Sequence, residues 1–249
     1  MARLTRLTLI ELRGYREWTE SLGDDREWAI QLTQARIYRA AQEEAKEHGG
    51  FVVPLRYDFM VLLSSNLQDY SQKAVIDAVA SESPVPVRAA SACAPTPLDA
   101  LRAAQAMLGR VEPGGLEVEG CSAREETAVA HVDVDNISYA TLQRGAYEAF
   151  LDVVRLHHVL AEEAAAAGAL VQYLGGDNIL VVLPPAAPRL DAERLLARAG
   201  EMAPRGMTLK AGVGIAPTPR EALSLAARAL HDIRSGRAHE RIAVYEAPP

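Results

Sequence analysis

Two stretches of this chain have nearly the same pattern of residues, and this repeat restricts the possible folds more than any other feature. Val87–Pro97 resembles Leu209–Pro219 at an offset of 122 residues, counted from Pro97 to Pro219. Each run is an apolar strand that ends in threonine and proline, the residues that cap a helix and begin its first turn. The repeat therefore predicts the same strand-to-helix unit at two places in the chain.

The remaining parts of the two units can be paired in the same way. The strand Leu9–Leu12 matches His131–Val134, and a hairpin at Leu55–Met60 matches one at Leu174–Ile179. A long helical stretch lies between strand and hairpin in each unit, at residues 27–48 and 147–167. Strand, helix, hairpin and helix-linked strand form the split βαβ pattern of a ferredoxin-like sheet.

We therefore predict an α/β (α+β) chain with two tandem ferredoxin-like, palm-like domains related by an internal repeat. The first, a degenerate copy, covers residues 1–115, and the second covers residues 125–249. Residues 111–124 contain Pro-Gly-Gly and no sustained apolar run, so we expect them to form a linker.

Composition restricts the function classes. The net charge of −7 argues against broad binding to nucleic acid or to an anionic membrane, although one small phosphate pocket is compatible with it. No apolar stretch is long enough to span a bilayer. Cys93 and Cys121 lack the spacing of a metal motif, which argues against a disulfide framework and a thiolate zinc site and favours a cytoplasmic location.

The hairpin at Gly175–Asn178 is the first candidate site. Two glycines allow a tight turn and leave room for a ligand against the backbone, and Asp177 follows where it can hold a cation. Taken alone, a Gly-Gly-Asp-Asn turn is ordinary hairpin chemistry. Asp133 favours a functional site over a purely structural turn. It interrupts an apolar strand, where a carboxylate is costly unless it is paired or bound to metal.

Asp133, Asp135 and Asp177 are predicted to share one edge of the second sheet, because the hairpin of a split βαβ unit lies beside the end of the first strand. Such carboxylates suit Mg²⁺, with phosphate supplying further oxygen ligands.

Each of the polar residues nearby has a structural and a functional interpretation. His131 either supports strand packing or moves a proton. Asn136 is a turn residue or a ligand contact, and Asn178 is a hairpin-tip residue or a contact to the nucleotide. Lys210 is an exposed edge lysine or a counter-charge for phosphate. Arg234 is typical of a helix C-terminal cap, and a phosphate contact is the alternative.

In this arrangement the chain resembles the GTP cyclohydrolase III family over nearly its full length. The residues that carry the resemblance are Tyr15 with Trp18, His131–Asp133, Gly175–Asn178, Leu209–Gly214, and Ile233–Gly236 leading to Val244 and Tyr245. Relative to the family pattern, Asp135 and Asn136 stand in exchanged order.

The resemblance implies a fold similar to the palm of GGDEF and class III nucleotide cyclases. It also implies an oligomeric enzyme, a dimer or tetramer, that binds GTP with Mg²⁺ and opens the imidazole ring of guanine. The product would be a formamidopyrimidine ribonucleotide 5′-monophosphate, with pyrophosphate released. By resemblance, Asp133 and Asp177 are metal ligands, Gly175 and Gly176 form the phosphate turn, and Lys210 is a phosphate neighbour.

The first unit keeps acids at Glu11 and Asp58 but replaces both glycines with Arg56 and Tyr57. We therefore expect one competent site, in the second unit. As a hypothesis, Tyr57 stacks on the base and Asp58 accepts hydrogen bonds from guanine nitrogens. Two other functions use the same residues: a nucleotidyl cyclase of the GGDEF type, and a GTP-binding regulator without catalysis.

Overall fold

The computed structural model describes residues 3–203 and 207–248. We call residues 3–118 the first half and residues 127–248 the second half. The elements of the first half are β1 (Arg3–Leu12), α1 (Tyr15–Ser21), α2 (Arg26–His48), β2 (Phe51–Arg56), β3 (Phe59–Leu63), α3 (Asp69–Glu82), β4 (Val87–Ala94), α4 (Pro97–Leu108) and β5 (Leu116–Val118). A two-residue strand, β6 (Arg124–Glu125), lies between the halves.

The second half follows the same element order. Its elements are β7 (Thr127–Val134), α5 (Ile137–Arg144), α6 (Ala146–Ala166), β8 (Leu170–Gly175), β9 (Asn178–Leu183), α7 (Pro188–Met202), β10 (Leu209–Ala216), α8 (Pro219–Arg234) and β11 (Ile242–Glu246).

Each half contributes one mixed sheet with the same arrangement of strands. The first runs β2-β3-β1-β4-β5, with β6 paired to β1, and the second runs β8-β9-β7-β10-β11. In both, the first strand of the half is central and antiparallel to the strands on its two sides, and the last strand is parallel to the one beside it. The short β6 pairs in parallel with the start of β1. The predicted mixed α/β fold is confirmed, whereas the residue-by-residue repeat and the two domain limits stay predictions.

The stretch predicted as a linker contains part of the first sheet. β5 pairs in parallel with β4, with Ala89 opposite Leu116 and Ser91 opposite Val118. The strand is only three residues long and half-buried, so it has no apolar run that would distinguish it from a loop.

The predicted helix caps of α4 and α8 are present. Thr96 Oγ1 accepts from the main-chain N–H of Asp99 at 3.1 Å, and Thr218 Oγ1 accepts from that of Glu221 at 3.4 Å. A proline stands in the first turn of each helix. Because the threonine satisfies an N–H that the helix leaves unpaired, both helices begin at a defined residue.

The same two helix starts connect the halves reciprocally. At the start of α4, the main-chain N–H of Leu98 donates to the carbonyl of Gly168, just after α6 in the second half, at 2.9 Å. At the start of α8, the N–H of Arg220 donates to the carbonyl of Gly49, which ends α2 in the first half, at 3.0 Å. Each half therefore supplies an acceptor for an otherwise unpaired helix donor of the other.

The inner faces of the two sheets share one hydrophobic core. It contains buried residues from both sheets and from α4 and α8, among them Leu7, Val61, Ala104, Val182 and Ala226. The outer face of the first sheet packs against α2 and α3, and that of the second packs against α6 and α7. No helix in the described part of the chain is long and apolar enough to cross a membrane.

The prediction against a disulfide is wrong. Cys93 of β4 and Cys121 form a disulfide, with their Cα atoms 5.7 Å apart, within the usual range for such bonds. The pairing follows from β5, which returns the chain alongside β4 and carries Cys121 back to Cys93. Because the sequence of β5 does not identify it as a strand, the sequence also does not indicate that Cys121 lies beside Cys93. A cytoplasmic location stays a prediction.

Candidate active site

One face of β7 carries the polar residues of the predicted site. Ala130, Val132 and Val134 are buried in the core under α6 and α7. Because side chains alternate along a strand, His131 and Asp133 point to the opposite face. This face packs against α8, whose last residue is Arg234.

Two glycines of β10 bring α8 close to this face. A Cβ atom at Gly212 would overlap the backbone of Ala226 and Leu230, and one at Gly214 would overlap the carbonyl of Ala222. Neither glycine has a positive φ, so the requirement is for space rather than for backbone freedom. The close packing places the last turn of α8 beside the end of β7.

Asp133 is buried between two cations. It is 3% exposed, and its Oδ2 accepts from Nε of Arg234 at 3.2 Å while its Oδ1 accepts from Nη2 of the same residue. Nζ of Lys210 lies 3.2 Å from Oδ2. A buried carboxylate is tolerated when it is paired in this way, and removing either kind of partner leaves an uncompensated charge.

Asp135 completes this ion-pair network. Its Oδ1 accepts from Nζ of Lys210, and its Oδ2 accepts from Oγ1 of Thr208 at 2.8 Å. Burial raises the pKa of Asp135, but the hydrogen bonds from Lys210 and Thr208 outweigh it, so the pKa lies below its ordinary value. Burial lowers the pKa of Lys210, but its bonds to Asp135 and Asp133 raise it overall. Both groups are therefore charged at neutral pH.

The hairpin turn has the predicted position and uses both glycines. Gly175 has φ +104° and Gly176 has φ +62°, in the region that favours glycine. Tyr173 Oη donates to the Gly176 carbonyl at 3.1 Å. Nε2 of His131 and Oδ1 of Asn178 are 3.0 Å apart, which connects the hairpin to β7. His131 thus orients the hairpin in addition to contributing to the strand.

The three predicted aspartates are only partly brought together. Val132 is paired with Ile179, so Asp133 lies near Asn178 and Asp177 stands one residue farther, in the turn. Within residues 3–203 and 207–248, the one group of three potential metal ligands with atoms within 4.8 Å of one another lies elsewhere, at the disulfide. Asp133 and Asp135 share the Lys210 ammonium, whereas Asp177 does not join them at that distance.

A cavity of about 320 Å³ lies between α5, α6 and the hairpin. Its lining includes Ile137, Phe150, Val153, Tyr173, Gly176 and Asp177. Asn136, with φ +64°, begins α5 at one side of it. No sequence pattern indicates this cavity, because the short helix α5 was not predicted and the lining residues come from three separate elements.

The sequence does not indicate that Arg234 pairs with Asp133, or that Thr208 belongs to the site. Arg234 was expected to cap α8 or to reach a phosphate, but in the structure it pairs with Asp133, 101 residues away. The available signal was its position in the last turn of a helix that packs on Gly212 and Gly214. Thr208 precedes β10 directly, and only the pairing of β10 with β7 brings it to Asp135.

The first half has a simpler arrangement at the corresponding positions. Glu11 pairs with Arg88 across β1 and β4, as Asp133 pairs with Lys210 across β7 and β10. Asp58 accepts from Nε of Arg56 at 3.0 Å at the tip of the first hairpin, and Tyr57 beside it is 39% exposed. Roles for Tyr57 and Asp58 in base recognition stay predictions.

Comparison with known proteins identifies the family of this chain. The family model for GTP cyclohydrolase III matches residues 7–247. The chain is 47% identical to GTP cyclohydrolase III of Aeropyrum pernix, over 94% of this chain and 93% of that protein. It is 34% identical to GTP cyclohydrolase III of Pyrobaculum arsenaticum, over 92% of this chain and 95% of that protein.

Solved structures that match part of this chain include the GGDEF domain of DgcB from Caulobacter crescentus in complex with c-di-GMP. The likeness covers 48% of this chain and 77% of that chain, at 16% identity and a TM-score of 0.42. The active GGEEF domain of a diguanylate cyclase from Vibrio cholerae gives 14% identity and a TM-score of 0.42, over 50% of this chain and 86% of that chain. Both likenesses are too weak to bear on function. The family model and the relatives show that this chain belongs to the GTP cyclohydrolase III family and is an enzyme that acts on GTP.

Proposed function

We propose that this GTP cyclohydrolase requires Mg²⁺ and opens the imidazole ring of guanine, giving a formamidopyrimidine ribonucleotide 5′-monophosphate and pyrophosphate. The observation that carries the proposal is the buried Asp133, held with Asp135 by two cations, next to a hairpin built on two glycines.

The donor chemistry of the site fits magnesium. Asp133, Asp135 and Asp177 offer only hard oxygen ligands, and Mg²⁺ in nucleotide enzymes commonly uses one or two carboxylates together with substrate phosphates. Asp177 therefore does not need to lie within 4.8 Å of the other two before GTP binds. When bound, the ion would neutralise charge on the triphosphate and support departure of pyrophosphate.

The two cations on Asp133 are suited to a second role. Lys210 and Arg234 balance the carboxylates in the free protein, and both side chains keep some exposure, 18% and 44%. A Mg²⁺ ion bound to Asp133 would replace Arg234 there. The guanidinium of Arg234 would then be available for a phosphate oxygen, to which it makes strong bidentate bonds. Gly175 and Gly176 let the backbone of the turn approach the same phosphates.

The cavity beside the hairpin is suited to the base. Its volume of about 320 Å³ and its lining by Phe150, Tyr173 and Ile137 match a flat aromatic ligand, and it reaches Gly176 and Asp177 in the phosphate turn. His131, bonded to Asn178 at the same hairpin, is our candidate for moving the proton when water attacks C8. Asn136, which begins α5, is our candidate for a further contact to the nucleotide.

The test is a time course of purified protein with GTP and Mg²⁺, following guanine absorbance, pyrophosphate and product mass. We expect the guanine spectrum to disappear while pyrophosphate accumulates, with the formyl carbon retained in the product. Chelation of Mg²⁺ should reduce the rate by at least about 100-fold, and added Mg²⁺ should restore it.

The alternatives predict other results. Pyrophosphate release with an intact purine would identify a nucleotidyl cyclase and contradict ring opening. GTP binding without either change would identify a regulator. Full activity after chelation would contradict the Mg²⁺ requirement but not the ring opening.

We also propose that the enzyme is a homo-oligomer, a dimer or tetramer. Several large apolar side chains are exposed near the cavity on α5 and α6, including Tyr139, Leu142 and Tyr147 at 66%, 83% and 66%. Clusters of this kind are typical of protein interfaces.

A further inference from the structure

A cysteine pair and a buried arginine meet at the junction of the two halves, away from the site around Asp133. Cys93 lies in β4, and Cys121 lies between β5 and β6. Arg6 of β1 is 5% exposed, and its Nη2 donates to Sγ of Cys121 at 3.0 Å. Its Nη1 donates to Oγ of Ser91 at 3.2 Å. The guanidinium is therefore fixed against one of the two sulfurs.

A cation in this position favours the thiolate form of the cysteine that it contacts. Arg6 donates to Cys121 rather than to Cys93, so the two sulfurs differ in chemistry. Glu125 shares the guanidinium, with Nε of Arg6 at 3.1 Å from its Oε1, and its negative charge opposes part of this effect. Both cysteines are partly exposed, so a small thiol can reach the bond.

We propose that Cys93 and Cys121 form a reversible thiol–disulfide site, in which Cys121 is both the leaving and the attacking sulfur. In reduction, one thiolate of a dithiol attacks Sγ of Cys93, and Cys121 leaves as a thiolate beside Arg6. The second thiol of the reductant then releases Cys93, and the reductant departs as a disulfide. Two electrons pass to the protein, the proton of the second thiol goes to Cys93, and Cys121 remains a thiolate.

The oxidised site holds the segment that joins the halves. Glu125 in that segment accepts from the main-chain N–H of Asn66 at 2.7 Å. Nδ2 of Asn66 donates to the carbonyl of Pro217 in the second half at 2.9 Å, and Pro217 directly precedes the cap of α8. Cys93 and Cys121 are 28 residues apart in the sequence, so the disulfide closes a loop at this junction. Reduction of the disulfide opens that loop.

A metal site is the competing interpretation, because ligand atoms of Cys93, Cys121 and Glu125 lie within 4.8 Å of one another. The geometry disfavours it. The Arg6 guanidinium contacts two of the three ligands, and a cation there opposes a metal ion. Three ligands are also fewer than the four that a structural zinc site requires.

The first test compares the two sulfurs in single-cysteine variants. Cys121 in Cys93→Ser should react with iodoacetamide at pH 7 about 10-fold faster than Cys93 in Cys121→Ser. Adding Arg6→Gln to Cys93→Ser should remove most of this advantage. In the natural chain, glutathione should be trapped on Cys93. Equal alkylation rates, or glutathione on Cys121, would overturn the proposal.

The second test compares the natural chain with Cys121→Ser and needs no substitution at Arg6. Reduction should lower the melting temperature by about 5–15 °C, and reoxidation should restore it. Cys121→Ser should already melt at the lower temperature and should not respond to the reductant. An unchanged melting temperature on reduction, or stoichiometric Zn²⁺ binding by the reduced protein, would contradict a thiol–disulfide site.

Discussion

Replacing Asp133 with asparagine should reduce the rate of GTP consumption by about 10²–10³-fold. The amide keeps the size of the side chain but loses the charge that faces Arg234 and Lys210. It is also a poor ligand for Mg²⁺ compared with a carboxylate. The measurement is kcat/KM for GTP at saturating Mg²⁺, together with the melting temperature of each protein.

The chain offers a matched control for this substitution. Glu11 lies on β1 across from Arg88, as Asp133 lies across from Lys210, and both partners of the Glu11 pair are largely buried. Glu11→Gln removes an ion pair of the same kind in the first half. We expect its rate to stay within about 3-fold of the natural chain, a change of less than 1 kcal/mol in transition-state stabilisation. Equal losses in the two variants would indicate a general effect on folding and contradict a site at Asp133.

Replacing Gly214 with alanine should destabilise the protein by about 3 kcal/mol, which corresponds to a fall of roughly 6–12 °C in melting temperature for a chain of this size. The added Cβ would overlap the carbonyl of Ala222 and lie 2.6 Å from the main-chain nitrogen of Ala226. Because these are backbone atoms, α8 has to move away from β10. Arg234 at the end of α8 would move with it, so the activity should fall as well.

Gly200→Ala is the control for Gly214→Ala. Gly200 lies in α7, and a Cβ atom there meets no other atom within 4 Å. Alanine favours a helix over glycine by about 1 kcal/mol, so the melting temperature should stay the same or rise slightly. If Gly214→Ala melts as Gly200→Ala does, the close packing of α8 on β10 is not a requirement of the fold.

Much of the fold could be predicted because its signals are local. Thr96 and Thr218 are followed by proline and then by an acidic residue, and each of these patterns begins a helix in the structure. The Gly175–Gly176 turn also lies where its residues indicate, since positive φ at consecutive positions favours glycine. These features depend on residues within about one turn of one another.

The missed features depend on contacts between distant parts of the chain. β5 is too short to have a periodic pattern, yet it returns Cys121 to Cys93. Arg234 has the sequence context of a helix cap, and only the packing of α8 on β10 brings it to Asp133. An ion pair over 101 residues has no local signal. The sequence therefore indicates Asp133, Asp135 and Lys210 as candidate site residues, but not the ion pairs that join these acids to Lys210 and Arg234.

The most direct test of the proposed site is a crystal structure of the protein with Mg²⁺ and a GTP analogue that cannot react. We expect the metal on the carboxylate of Asp133, the triphosphate against Gly175 and Gly176, and Arg234 moved from Asp133 to a phosphate oxygen. Nucleotide bound at another surface, with the Asp133–Arg234 pair intact and no metal on Asp133, would contradict the assignment of the active site to the second half.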